Sequence, residues 1–188
     1  MDLLTAVNQI LPKLGERPVT STDSKSPTLA VILPQLDADR MMLLQTGWWF
    51  NLFEGVKLYP DSEGGVAIPD DTLSFIADRN QEPVVVRGTK LMRTRDMSFV
   101  FPVGTPITGT LIQDVAFAEL PESAARYVLY TALITCYATD IGLEQVVQMW
   151  QQYAKAALGS MEQEHMRQRH YTIKATRQYM NLRRGMRG

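Results

Sequence analysis

Between Phe50 and about Phe117 the chain carries six short strand-like segments with only a few residues between them, and that spacing limits the fold more than any other feature. "FNLFEGVKLYP", "VAIP", "LSFIA", "PVVVRGTKLMR", "MSFVFP" and "ITGTLIQDVAF" are rich in β-branched and aromatic residues, and "DSEGG", "DRNQE" and "VGTP" punctuate them as turns. Parallel strands need a crossover of about a dozen residues or more, for which there is no room. The sheet is therefore expected to be mainly antiparallel, and "VVVRGTKLM" reads as a hairpin turning near Arg87 and Gly88.

Helical periodicity flanks this region on both sides. Asp2 suits the cap of a first helix whose apolar residues Leu3, Val7, Ile10, Leu11 and Leu14 recur at helical spacing, with Pro12 disturbing its last turn and Gly15 stopping it. Ser26 and Pro27 suit the start of a second, with Leu29, Ile32, Leu33, Leu36, Leu43 and Leu44 on one face and Gly47 at its end; Pro34 should kink it or mark a later start. A third helix is expected in "LPESAARYVLYTALITCYA", and after a reversal at Gly142 a long fourth from Leu143, with Val146, Trp150, Tyr153, Ala157 and Met161 as its apolar stripe. Running to about His165, it would be about 35 Å long at about 1.5 Å per residue. The fold class is α+β: a mainly antiparallel bundle of about four helices, from residues 1–47 and 120–165, with a central antiparallel β-sheet insertion, 48–119, and a basic C-terminal extension, 166–188, all in one domain.

Charge is distributed unevenly along these parts. Residues 1–164 carry 12 Lys and Arg against 20 Asp and Glu, net −8, whereas residues 165–188 carry seven basic residues and no acid, net +7. Such a tail suits an acidic surface, which the body of a neighbouring copy offers, or phosphate; the plain alternative for "NLRRGMRG" is a solvated terminus. With one cysteine, Cys136, placed in an apolar helical segment, the chain cannot build an internal disulfide, so core filling and a reducing compartment are expected. "LAVIL" is the longest aliphatic run, far short of the roughly 18 residues of a membrane span, and no membrane partner is expected.

Recognisable catalytic patterns are missing. There is no GxxxxGK[ST], GxGxxG or HExxH, and the only histidines, His165 and His170, are five apart and do not share a helix face as an i, i+4 metal pair would. No catalytic, cofactor or metal site is expected. The alternative, a component that binds glycans or hydrolyses them weakly, rests on Asp61, Glu63, Asp70 and Asp71, because two carboxylates about 5–9 Å apart can hydrolyse a glycosidic bond. Turns use the same residues for local backbone bonds.

"GWWFNLFEGVKLYP" places Trp48, Trp49 and Phe50 at the junction of helix and strand. A nucleic-acid stacking platform would need interleaved basic residues, and the nearest are Arg40 and Lys57. A packing anchor fits better: on a strand, Trp48 and Phe50 face the bundle while Trp49 faces out or toward a partner, with Trp150 as an anchor within the bundle.

The succession "AVNQILPKLGERPV", "GWWFNLFEGVKLYPD" into "VAIPDDTLSF", then "LPESAARYVLYTALITCYA" and "LEQVVQMWQQYAKAAL" resembles the tail tubular protein A family of T7-like phages, over most of residues 5–165 and in the same order. That resemblance implies a structural virion protein and no catalytic residues. It implies a head-to-tail adaptor, a dodecameric ring of this chain between the portal protein and the tail nozzle protein, through which DNA passes without specific binding. Assembly would take place in the bacterial host cytoplasm. A ring of identical subunits needs a heterologous interface, and the opposed charges of body and tail suit one. The residues expected to contact a neighbouring subunit or the portal are Arg167, Arg169, Lys174, Arg177, Arg183 and Arg184, together with Trp49.

Overall fold

Helical periodicity at the two ends of the chain is realised as four helices that pack on one another. A computed structural model describes residues 1–142 and 145–169. Helix α1 spans Leu3–Ile10, capped by Asp2, whose carboxylate accepts the Thr5 N–H at 2.6 Å. Pro12 converts the following turn, Leu11–Leu14, to a 3-10 helix that ends on Gly15 at φ 80°. Helix α2 spans Leu29–Gln45. It begins later than the Ser26–Pro27 pair suggests and runs through Pro34 rather than starting after it. Helices α3, Glu122–Asp140, and α4, Gln145–Gln168, form an antiparallel pair after a reversal in which Gly142 takes φ 110° and donates to Tyr137 O. The expected start at Leu143 lies outside the described residues.

The strands form two small antiparallel units. In the first, β1 (Leu52–Leu58) and β2 (Thr72–Ala77) flank β5 (Ile107–Gln113); in the second, β3 (Val84–Arg87) pairs with β4 (Lys90–Arg93). Arg87 pairs with Lys90, so the hairpin turns on Gly88 and Thr89, and Gly88 takes the left-handed φ of 59° that a two-residue turn demands. "VAIP" contributes a single bridge, Ala67 to Lys90. "MSFVFP", expected as a strand, is instead a loop clasped by side chains. Asp96 accepts the Ser98 N–H, Ser98 Oγ accepts the Val100 N–H, and Phe101 N–H donates to Gly64 O. Arg93 N–H of β4 donates to Ser98 O at 2.9 Å, so the segment meets its neighbours at single bonds rather than along a ladder.

Two apolar cores result. The larger joins the helices through Val7, Ile10, Ile32, Leu44, Leu129, Leu133, Trp150 and Met161, and it takes in Cys136. The smaller lies within the strand region and consists of Val66, Ile68, Phe75, Leu91, Phe101, Ile107 and Leu111. The buried stripe of α4 is Val147, Trp150, Ala154, Ala157 and Met161; Val146 is half-buried and Tyr153 is 46% exposed, one position off the expected face. Trp150 stacks edge-on against Tyr137, 4.9 Å between ring centres.

Candidate functional site

The junction between the two cores is where the chain concentrates its unusual chemistry. Trp48, Trp49 and Phe50 lie in a turn, and β1 begins only at Leu52, so strand alternation does not decide where the three rings point. Asn51 holds the turn. Wholly buried, its side-chain oxygen accepts the Trp48 N–H at 2.8 Å, and its amide donates to Leu44 O at 3.0 Å and Gln113 O at 2.9 Å. One side chain thus ties the end of α2, the aromatic turn and the end of β5. Trp48 is buried, with Nε1 donating to Leu43 O at 2.9 Å. Trp49 and Phe50 are half-buried against the helical core, their rings edge to face at 5.0 Å. Trp48 thus lies within the helical core and Phe50 packs against it, from a turn rather than the expected strand.

A second weld lies nearby. Arg40, on α2, pairs with Asp37 and Asp114 and donates to Val115 O at 2.7 Å, binding the helix to the segment just after β5.

The C-terminal end of α4 is clamped on this junction. His165 Nδ1 accepts the Trp49 N–H at 3.2 Å, and its ring lies edge-on to Trp48 at 5.5 Å. An accepting Nδ1 requires the neutral imidazole with its proton on Nε2. Burial, with Arg169 adding repulsion, lowers the His165 pKa below 6.5, in keeping with that role. One turn further on, Arg169 pairs with Glu54 of β1. Glu54 sits in an irregularity of the β1–β5 ladder between Phe53 and Val56, where Gly55 takes φ 70°. Such a bulge re-aims the side chain beside it.

The basic residues expected to make contacts divide in two. Arg167 is exposed on the last turn of α4 and has no ion-pair partner among the described residues; Arg169 is half-buried in its pair with Glu54. Lys174, Arg177, Arg183 and Arg184 lie outside the described residues, as does His170. The acidic turns behave as turns: Asp61 Oδ1 accepts the N–H groups of Glu63 at 2.9 Å and Gly65 at 2.8 Å, while Asp70 and Asp71 are exposed beside β2. Among the described residues no cluster of three or more His, Cys, Asp or Glu is placed to hold a metal, and no helix is long and apolar enough to cross a membrane.

Sequence reasoning missed Asn51, Arg40, His165 and Asp39. Asp39 is buried on α2, and burial raises its carboxyl pKa. A lone polar residue inside an aromatic and apolar run is the one signal that marks Asn51 in the sequence, whereas Asp39 stands among the charged Asp37 and Arg40 and carries no such mark. His165 and Arg40 find their partners only through the fold.

The arrangement is a hydrogen-bonded and ion-paired joint between helices and strands, and comparison with known proteins agrees with a structural role. The family model for tail tubular proteins matches residues 4–171. Tail tubular protein A of Klebsiella phage KP34 is 26% identical over 181 residues, covering 96% of this chain and 96% of that protein. With nearly its whole length matched by the family model, the chain belongs to the tail tubular protein family, a component of the phage virion tail.

Proposed function

We propose that this protein is a head-to-tail adaptor that assembles into a dodecameric ring between the portal and the tail nozzle and leaves a channel through which DNA is ejected. The observation that carries the reading is the clamped end of α4. His165 and Arg169 fix where the chain leaves the bundle, and the residues that follow are basic without a single acid. A segment of net positive charge delivered from a fixed point suits a contact with the acidic body of a neighbouring subunit or with the portal. Arg167, Lys174, Arg177, Arg183 and Arg184 supply that contact, and Trp49 lies beside the exit point. The role is structural and needs no cofactor. DNA passes through without sequence-specific contacts.

The test is the mass of the purified protein in solution, alone and then mixed with its phage's portal ring, at two salt concentrations. A discrete ring, alone or on the portal, supports the adaptor reading, and salt sensitivity of that ring supports the basic contact. Among the described residues, deleting 166–188 removes one ion pair, Arg169 to Glu54, and takes no member of either core. The truncated chain should stay folded and fail to dock. An undiminished ring from it would refute the role of the basic segment, and a wild-type monomer indifferent to the portal would refute the adaptor reading.

A further inference from the structure

On the outer edge of β4 the chain turns into a loop with three exposed apolar side chains, Met97 at 74% exposure, Val100 at 57% and Phe99 at 42%. The loop is braced on both sides. Arg93 N–H donates to Ser98 O at 2.9 Å, Asp96 accepts the Ser98 N–H at 3.2 Å, and Phe101, buried with the Arg93 guanidinium over its ring, donates its N–H to Gly64 O at 2.8 Å. The approach at Gly64 is close: a Cβ there would stand 2.7 Å from Phe101 O and 2.8 Å from Val100 Cγ1. Met97 takes φ 53°, the one positive φ outside glycine among the described residues. Strained backbone that sets a long apolar side chain in solvent is a feature of binding sites, and a loop fixed beforehand loses little entropy on docking.

Across the hairpin, between β3 and the start of β5, lies a cleft of about 240 Å³ walled by Val84, Phe101, Pro102, Pro106 and Ile107. It falls below the range of about 300–1,000 Å³ usual for small-molecule pockets, a size for protruding side chains. We infer that the loop of residues 97–100 docks into this cleft on a second copy of the chain. The inference rests on the adaptor reading, since it presupposes self-association. A chain's own loop cannot enter its own cleft, because Phe101 forms part of the wall and is pinned to Gly64 on the loop's flank. A second copy is favoured because one chain carries both halves of the contact, at one level of the strand region and on opposite flanks. Copies set side by side then repeat a single heterologous contact, the kind that closes a ring. One pair of charges follows the same polarity. In the sheet order β1-β5-β2, Glu63 follows β1 on the loop's flank, and Arg79 follows β2 on the cleft's flank, two residues before Gln81 in the cleft wall. Both are exposed and have no ion-pair partner among the described residues, which leaves them free to pair across the contact. Arg95 and Glu82 favour neither flank, since Thr94 N–H donates to Pro83 O and brings both to the base of the hairpin.

The experiment uses the full chain, free or assembled on its phage's portal ring. A photo-crosslinking phenylalanine analogue replaces Phe99 in copies labelled with heavy nitrogen, these are mixed with unlabelled wild type before assembly, and crosslinked peptides are mapped by mass spectrometry. Crosslinks from heavy chains to unlabelled residues 79–84 or 101–107 are expected; crosslinks confined to the same chain, to other surfaces or to the portal overturn the inference. In parallel, Met97→Asn removes the apolar tip while suiting the left-handed backbone, and Thr105→Trp, from an exposed position on the cleft, fills it. Each should weaken self-association by about tenfold or more, while the melting temperature of the dissociated chain stays level or, for Met97→Asn, rises. Glu63→Arg and Arg79→Glu should each weaken association as well, and the two combined in one chain should restore it; a combination no better than either single variant overturns the inference. Wild-type association in either Met97→Asn or Thr105→Trp sinks the docking and leaves the adaptor reading standing, whereas a wild-type chain that associates neither with itself nor on the portal removes both.

Discussion

Replacing Asn51 with alanine tests whether one buried amide holds the two cores together. The substitution deletes three hydrogen bonds, from Trp48 N–H and to Leu44 O and Gln113 O, at a site with no solvent access. Leu44 O keeps the backbone N–H of Gly47. Trp48 N–H is left without its acceptor, and water cannot reach it. Three net bonds at about 1 kcal/mol each, with an added penalty of about 1–3 kcal/mol for the stranded donor, put the loss at about 4–6 kcal/mol. Asn51→Asp sharpens the case. It keeps the acceptor for Trp48 but turns the two donations into a carboxylate facing two carbonyls. Its folded-state pKa must then rise, so the cost is least at pH values below the ordinary aspartate range and grows as pH increases through that range. Urea unfolding followed by tryptophan fluorescence and by circular dichroism measures both variants. A loss below about 1 kcal/mol for Asn51→Ala, or an Asn51→Asp penalty that does not grow with pH, would refute the assignment of Asn51 as the joint.

Gly109 sits in the middle of β5, where a Cβ would stand 2.4 Å from Ile76 O and 2.7 Å from the Phe75 ring, so Gly109→Ala should cost about 2–4 kcal/mol in denaturant unfolding. The neutral His165 ring accepts from Trp49, and its lowered pKa means that this contribution is complete above pH 6.5 and is lost as pH falls through the folded value. Trp fluorescence should therefore report a loosened junction on acidification in the wild type and no such step in His165→Phe. Asp39→Asn removes a buried charge whose pKa is raised by burial, with Oδ2 unpartnered. It should stabilise the fold by about 0.5–2 kcal/mol at neutral pH, with the gain shrinking as pH falls through the raised folded-state pKa and gone below the ordinary aspartate range.

Much of this architecture is legible in the sequence because period and punctuation agree. The apolar spacing of Leu29, Ile32, Leu36, Leu43 and Leu44 matches the buried face of α2, and Gly88 marks the hairpin where it occurs. The misplaced features share a physical cause: side-chain bonds to backbone that local propensity does not register. Aromatic Trp48–Phe50 favours a strand, yet Asn51 folds the segment into a turn by accepting the Trp48 N–H. β-Branched and aromatic "MSFVFP" favours a strand too, yet Asp96 and Ser98 tie it into a loop. On α4 the periodic pattern fits two neighbouring faces about equally, and packing against α3 selects Val147 and Ala154 over Val146 and Tyr153. The exit clamp joins residues more than a hundred positions apart, which no local pattern encodes.

The placement of β5 governs how the strand region comes apart. Among the described residues it is the only strand partner of both β1 and β2, and its last residue is bonded to Asn51 through both the backbone and the side chain. Detaching either edge strand leaves a two-stranded pair intact, whereas detaching β5 dissolves the sheet and cuts its tether to the helices. Amide protons of β5 should therefore exchange as one slow cooperative block, while the separate β3–β4 hairpin exchanges earlier, so that the molecule loosens from its periphery inward toward a single central strand.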